Sequence, residues 1–354
     1  MKVIQVIPSF ALAGAENMCA TLTLELANLG CEICAISLYD VHSALTEKLE
    51  QNGIRIYYLG KKRGFDHSII RKISSIYKKE KPDVVHSHLY ATPYAMIPAI
   101  RIGIGKRIYT LHSVAQEEST NLGKRVNKFL FRHRVVPVAL SGLVQDSAVR
   151  VYGLPKSRIP IVFNGVKLEN CLPKNDYELH GDFKIIHVGS LSPRKNHLCL
   201  IAAFKSFHDR HPESELWLIG EGAERRAIEN CIAANGLAGN VKLFGLQSNV
   251  YPYLHEADVF ALPSIYEGMP MSIIEAMGTG LPIVATSVGG IPDMIENGKE
   301  GILVENKAES LAEAFEEYYC SENLREERGQ KAKERAQEFS ATAMAEQYLK
   351  IYKK

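Results

Sequence analysis

Short apolar runs alternate with amphipathic stretches along almost the whole chain. Strand-like runs in the first half are Val3–Pro8, Cys31–Leu38, Ile54–Leu59, Val84–His88, Arg107–Leu111, Val136–Leu140 and Ile159–Val162. The second half adds Lys184–Val188, Glu215–Ile219, Val241–Leu243, Val259–Leu262, Ile283–Ala285 and Gly301–Val304. Between most of them lie helix-period stretches such as Ala15–Leu29, Asp66–Lys79, His197–His211 and Ala223–Asn235. Such alternation is the mark of βαβ units and parallel sheets. The runs are too many for one doubly wound sheet, and the pattern restarts near residue 184. The expectation is two Rossmann-like α/β domains. A linker is expected near Asn164–Gly181, where Asn164-Gly165, Pro173 and Asn175-Asp176 supply turn chemistry. The tail Ser310–Tyr352, rich in Ala, Glu, Lys and Arg, reads as two or three helices.

A chain of 354 residues that is 46% apolar and 23% charged can bury large cores without staples. No run of 18 or more apolar residues suggests a transmembrane helix, and Met1–Pro8 reads as a first buried strand rather than a signal peptide. The seven cysteines are odd in number and scattered, which argues against a disulfide framework. Cys31 and Cys34 lie close together, yet their surroundings look like a strand, so buried thiols in a reducing cytoplasm are expected. Charge is uneven. Residues 1–168 carry 23 Lys and Arg against 12 Asp and Glu, whereas residues 169–354 carry 19 against 28. A basic half beside an acidic half suggests two domains with different partners, among which nucleic acid, an anionic membrane and a phosphorylated substrate are open for the basic half.

Three segments could carry chemistry. Pro8–Glu16 runs from a strand through a loop with Gly14 into a helix, whose N-terminal N–H groups can meet an anion. A plain βα turn explains it equally well, and the G-x-G-x-x-G spacing of a dinucleotide fingerprint is missing. Gly189–Asn196 follows a strand of the second array. Its Arg194 and Lys195 stand where ligands of open α/β sheets bind, and two adjacent cations could hold a pyrophosphate. The bland reading is a solvated basic turn. Pro263–Gly278 contains Glu267 and Gly268 in a loop, Pro270 suited to a first helical turn, and Glu275 within an otherwise apolar helix. A carboxylate at Glu275 must be hydrogen-bonded or face a pocket. A helix start near Met269–Ser272 would aim N–H groups at phosphates while the two carboxylates accept bonds from sugar hydroxyls.

The Glu-x7-Glu spacing from Glu267 to Glu275, followed by Ala276-Met277, resembles the signature of the retaining glycosyltransferases of family 4. Other pieces match in the same order: Asn164-Gly165-Val166, Gly189 with Arg194-Lys195-Asn196, Gly220-Glu221-Gly222, Ala257-Asp258-Val259 leading to Pro263-Ser264, Gly280–Ala285, and Gly289-Gly290-Ile291-Pro292. The resemblance covers nearly the whole chain. It implies the GT-B fold, two Rossmann-like doubly wound domains facing across a cleft. These would be an N-terminal acceptor domain over 1–168, with a C-terminal helix at about 338–354 packing back on it, and a nucleotide-sugar donor domain over 169–337.

It also implies roles. Gly14 would let the first loop close over the phosphates, and Gly189, Arg194 and Lys195 would bind the donor pyrophosphate. Glu275 would hold the ribose, and Glu267 with Gly268, Met269, Pro270 and Met271 would meet the donor sugar and distal phosphate. Tyr109–Ser113 resembles the family's Thr-x-His segment, which implies that His112 sits beside the donor sugar. His88 and Asn164 are candidate acceptor or sugar contacts. His86 reads as packing, and the His86/His88 pair lacks a third metal ligand of suitable geometry. The implied catalytic set is His112, Glu267, Arg194 and Lys195, with no metal and no cofactor beyond a nucleotide-sugar co-substrate, for which UDP is the expected nucleotide. Two departures from the family pattern, Ala13 before Gly14 and Asp293 after Pro292, are chemically mild.

The expected reaction is sugar transfer to a glycan or lipid-linked acceptor in surface polysaccharide or glycolipid synthesis. The segment Gly123–Arg134, basic and interleaved with Phe129, Leu130 and Phe131, suggests peripheral contact with the cytoplasmic face of an anionic membrane. A nucleotide-sugar 2-epimerase of the same fold is the rival enzyme. A nucleic-acid-binding module is disfavoured because no binding motif or stacking platform is recognisable.

Overall fold

The computed structural model describes every residue except Leu12 and Ser119, together with the side chain of Glu118. The chain divides into two compact units. The first is Met1–Val166 with Ser340–Lys354, and the second is Lys167–Phe339.

In the first unit, strands β1 (Lys2–Ile7), β2 (Glu32–Ser37), β3 (Arg55–Tyr58), β4 (Val84–His88), β5 (Lys106–Leu111) and β6 (Val135–Ala139) form one sheet in the order β3-β2-β1-β4-β5-β6. Every pairing is parallel. Helical crossovers cover both faces, so the central strands are apolar on both sides, and Val3, Ile4, Val6, Ile7, Val84 and Val85 are all buried.

The second unit repeats the plan. Strands β7 (Phe183–Val188), β8 (Ser214–Ile219), β9 (Val241–Gly245), β10 (Val259–Leu262), β11 (Ile283–Thr286) and β12 (Gly301–Val304) order as β12-β11-β10-β7-β8-β9. Each sheet therefore has the doubly wound order of a dinucleotide-binding fold, with its ligand edge at the carboxyl ends of the strands.

One expected strand is absent. Ile159–Val162 makes only an isolated bridge, Ile161 to Ala139, at the last residue of β6. Pro160 has no N–H to give a ladder, so the segment bonds around Ala139 alone, whose N–H donates to the Pro160 carbonyl (2.9 Å) and whose carbonyl accepts from Val162 N–H (2.9 Å). The helix expected to open between Met269 and Ser272 begins at Met271. Pro270, with ψ at 119°, is still extended and serves as its N-cap rather than part of its first turn.

The tail forms three helices, Ala308–Cys320, Glu322–Ala336 and Ala341–Lys353. The last belongs to the first unit. Val166 bridges Ser340, and the Ala341 N–H donates to the Val166 carbonyl at 2.8 Å. A Cβ at Gly165 would run into the Ser340 carbonyl, so the Asn164-Gly165-Val166 segment accepts the returning chain only with glycine at its centre.

Candidate active site

At the carboxyl edge of the second sheet, two loops converge. The strand β7 ends at Val188, and a short turn, Pro193–Lys195, leads into the helix His197–His208. Asn196 joins them at φ 55°, a left-handed conformation that asparagine tolerates better than most residues. That turn points Lys195 inward. Its Nζ donates to Glu267 Oε1 at 2.7 Å, and Ser264 Oγ donates to the same oxygen at 2.7 Å. Lys195 and Glu267 are both buried. Arg194 lies half-buried with its guanidinium 5.6 Å from the Tyr266 ring centroid, and its carbonyl accepts the Ile265 N–H at 2.8 Å, tying the two loops together.

Glycines make this convergence sterically allowed. A Cβ at Gly289, where φ is +62°, would overlap the Glu267 carbonyl, and one at Gly220 would overlap the Gly189 carbonyl. A Cβ at Gly189 itself would come within 3.1 Å of Lys195 Cε and 3.0 Å of His187 Nε2.

Sequence reasoning missed His187 and His197. The His187 Nδ1–H donates to the Ala261 carbonyl at 2.9 Å. Its Nε2 and both nitrogens of His197 have no hydrogen-bond partner among the described residues. Burial holds both imidazoles well toward the neutral form, His197 at about 4, and Lys195 pushes the same way. Two neutral rings beside Lys195 leave the Lys195–Glu267 pair as the buried charges at this sheet edge. The signal was there in sequence, a histidine at an inward strand position before Gly189 and another directly after Asn196, although nothing in the spacing marks them as polar neighbours.

The helix Met271–Thr279 has no side-chain cap, so its first N–H groups are free to meet an anion. Gly268, Met269 and Pro270 are buried in the approach to it, and Met271 is half-buried at its start. Glu275, one turn on, lies in an apolar helix. Its carboxylate has no hydrogen-bond partner among the described residues, and burial pushes its pKa up to about 7. An unpaired carboxyl group in such a place is poised to accept hydrogen bonds from a polyol.

In the first unit, Gly14 opens the helix Gly14–Asn28, which likewise lacks a side-chain cap, and the space around its α-carbon is open. At the carboxyl ends of β4 and β5, side chains form two buried hydrogen-bonded chains. His86 is fully engaged in the core, as its packing role requires. Its Nδ1 lies 2.7 Å from Tyr352 Oη and its Nε2 lies 2.7 Å from Thr110 Oγ1, which in turn meets Tyr348 Oη at 2.7 Å. His88 makes the second chain, with Nε2 2.9 Å from Gln5 Oε1 and Nδ1 2.9 Å from His112 Nε2.

Burial keeps His86 and His88 far below the ordinary imidazole pKa and lowers His112 to about 3, so all three are neutral near pH 7. The carbonyl oxygen of Gln5 can only accept, which puts the His88 proton on Nε2. His88 Nδ1 then accepts, and His112 must carry its proton on Nε2. His88 thus braces His112, and Gln5, which sequence reasoning also missed, braces His88. Asn164 is buried at the end of this unit, next to the Gly165 contact with Ser340.

Two consequences are measurable. The fold favours the neutral acid of Glu275, a stabilisation present in full below the ordinary value of 4.5 and lost as pH rises to about 7. Glu275→Gln cannot ionise, so its melting temperature should exceed that of the wild type at pH 8 and do so by less at pH 4.5. Nitrogen-15 correlation spectra of the imidazoles should show His112 as the single Nε2–H tautomer in the wild type and as a mixture in Gln5→Leu. A wild-type proton on Nδ1 would reverse the whole chain of donors.

Comparison with known proteins agrees with this geometry. Residues 12–170 match the family model described as Glycosyltransferase Family 4, and residues 174–335 match Glycosyl transferases group 1. The chain is 29% identical over 268 residues to the UDP-Gal:alpha-D-GlcNAc-diphosphoundecaprenol alpha-1,3-galactosyltransferase of Escherichia coli, covering 70% of this chain and 69% of that one. It is 24% identical over 302 residues to the putative glycosyltransferase EpsF of Bacillus subtilis, covering 80% and 78%. Among solved structures, Anabaena HepE in complex with UDP and glucose superposes with a TM-score of 0.87 at 19% identity over 99% of both chains. A glycosyltransferase of Rickettsia africae superposes with a TM-score of 0.85 at 23% identity over 99% of this chain and 97% of that one. The chain, with two doubly wound sheets and a family model matched by each half, is a glycosyltransferase of the family 4 type with the GT-B fold.

Proposed function

We propose that this glycosyltransferase takes a sugar from a UDP-sugar and passes it, with the anomeric configuration retained, to a glycan or lipid-linked acceptor in surface polysaccharide or glycolipid synthesis. The observation that carries the donor half is the buried Lys195–Glu267–Ser264 cluster beside the uncapped start of the helix Met271–Thr279. The name of the E. coli relative, with its UDP-linked donor and diphosphoundecaprenol acceptor, supports the choice of substrates, as does the UDP bound to Anabaena HepE.

Breaking the anomeric C1–O bond leaves negative charge on the departing diphosphate and positive charge on the sugar ring. Lys195, Arg194 and the N–H groups at Met271 and Ser272 would stabilise the former without rearranging. Glu275 would accept from the ribose hydroxyls. Glu267 would meet the donor sugar with the oxygen that Lys195 and Ser264 leave free. His112, neutral and braced by His88, would hydrogen-bond the sugar. The acceptor oxygen forms its bond to C1 on the face the phosphate leaves, and its proton passes to the departing phosphate oxygen. These residues take the charge-stabilising role, so no metal is assigned one.

Purified protein should slowly hydrolyse one UDP-sugar from a panel, with EDTA present throughout. Lys195→Ala and Glu275→Ala should each lower that rate by about 100-fold. Retention is tested by the anomeric configuration of the product formed first, and an inverted product would overturn that part of the reading. A freely reversible change of the donor at C2 without acceptor would instead identify an epimerase.

Peripheral membrane contact is also proposed. No helix among the described residues is long and apolar enough to cross a membrane. Of the apolar residues expected to meet the membrane, Leu130 and Phe131 are instead buried in the core of the first unit, and the helix Asn121–Arg132 exposes Leu122 (72%) and Phe129 (56%) on one face with Arg125, Lys128 and Arg132, the pattern of a helix lying on an anionic surface. Flotation with liposomes should depend on anionic lipid and fall in Leu122→Ser with Phe129→Ser. Flotation indifferent to lipid charge would remove the idea.

A further inference from the structure

The carboxyl edge of the first sheet carries a second group of side chains that the transfer step does not use. Tyr39 follows β2, Lys61 follows β3 and Tyr90 follows β4. Lys61 is buried, and its Nζ lies 5.3 Å from the ring centroids of both Tyr39 and Tyr94 while donating to the carbonyls of Lys62 (2.9 Å) and Gly64 (2.6 Å). One cation thus holds two rings and the loop between them.

Two further rings sit on this frame. Tyr90 meets Tyr39 edge to face at 6.4 Å, and Phe65 stacks on Tyr94 at 5.2 Å with planes 23° apart. Tyr94 Oη accepts the Asp66 N–H at 3.1 Å, which fixes the loop that carries Phe65. Both outer rings face solvent, Tyr90 54% exposed and Phe65 58%.

The backbone is bent to present one of them. Leu89, between His88 and Tyr90, has φ +53°, in the left-handed region that is unfavourable for a non-glycine residue. Strain of that kind persists where surrounding structure imposes it, and it clusters at functional sites. Here it turns the chain outward directly after the histidine that braces His112.

The loop that carries Phe65 has Lys62 and Arg63 exposed, and His67 is exposed at the start of the helix that follows. The loop's one acid, Asp66, already accepts from the Ser68 N–H (3.0 Å), the Ser68 hydroxyl (2.6 Å) and the Lys62 N–H (3.3 Å). Exposed cations therefore share a loop with one exposed, pre-ordered ring, Phe65, while the other, Tyr90, is tied to the same Lys61 frame through Tyr39. Rigid aromatics offer a flat apolar surface to the C–H face of a saccharide, and the neighbouring cations suit phosphate oxygens.

We propose that Tyr90 and Phe65 are the floor of an acceptor subsite for the saccharide of a sugar diphosphate, with Lys62 and Arg63 meeting the diphosphate. This rests on the glycosyl-transfer reading above and adds to it the residues that select the acceptor. Lys61, Tyr39 and Tyr94 are positioning residues that act through the two exposed rings.

The test is saturation-transfer NMR with UDP saturating the donor site. The probes are octyl N-acetyl-α-D-glucosaminyl diphosphate and, without the sugar, octyl diphosphate. Wild-type protein should saturate the sugar ring protons of the first probe and bind it more tightly than the second. Tyr90→Ala with Phe65→Ala should weaken the first probe at least about tenfold, Tyr90→Trp should restore most of the loss, and Lys62→Ala with Arg63→Ala should weaken both probes. No saturation of ring protons in the wild type, equal binding of the two probes, or undiminished binding by the double aromatic variant would each overturn the proposal. Hydrolysis of the UDP-sugar, run on the same samples, separates the two levels. Retained hydrolysis with a failed probe sinks the subsite alone, whereas loss of both in the wild type sinks the transfer reading beneath it.

Discussion

A lysine and a glutamate buried against each other, Lys195 and Glu267, set the terms for much of the second unit. Neither charge can be left in such a place alone, because removing one partner strands the other with its full desolvation cost. The pair needs Ser264 as a second donor, and Ser264 is itself held by Thr286, whose hydroxyl donates to its carbonyl at 2.6 Å. It needs Gly289 to let the Glu267 backbone pass and Asn196 to turn Lys195 inward. Residues from three different strand-to-helix connections are thereby committed to one ion pair. An anionic ligand then meets a lysine whose charge is already oriented and partly balanced, so little reorganisation is left for the bound state.

The first unit solves a related problem without charge. Its histidines are kept neutral by burial, and their orientation comes from hydrogen bonds alone. Paired donors and acceptors orient its members, which is why hydroxyls from Tyr348 and Tyr352 matter as much as the imidazoles. Gln5, at the middle of the central strand, links the sheet interior to His112 at its edge through His88.

Much of this was legible in the chain itself, for identifiable reasons. Parallel strands buried on both faces read as short apolar runs, so β1, β10 and β11 stand out, and the restart of the pattern near residue 184 signals the second sheet. Ile159–Val162 misleads because apolar character does not reveal that Pro160 denies the ladder a donor. Local motifs such as Arg194-Lys195-Asn196 announce a turn at a ligand edge. They do not announce that Lys195 will be paired with a residue far along the chain, since that contact is a property of the sheet order. The partners of His86 illustrate the limit most sharply: Tyr352 lies 266 positions away and belongs to a helix whose sequence reads only as amphipathic. Gln5 was invisible for a similar reason, being a polar residue in a strand whose neighbours are all apolar.

The helix Ala341–Lys353 closes the first unit after the second has been completed in the chain. Its buried tyrosines fill the space beneath β4 and β5, and its first residues pair with Val166. A ribosome therefore emits every strand of the first sheet long before the piece that seals it. Until residues 340–354 emerge, the nascent first unit must wait with polar histidines and an apolar helix-docking face uncovered, while the second unit can fold without interruption. The unit begun first is thus the one whose chain is completed last.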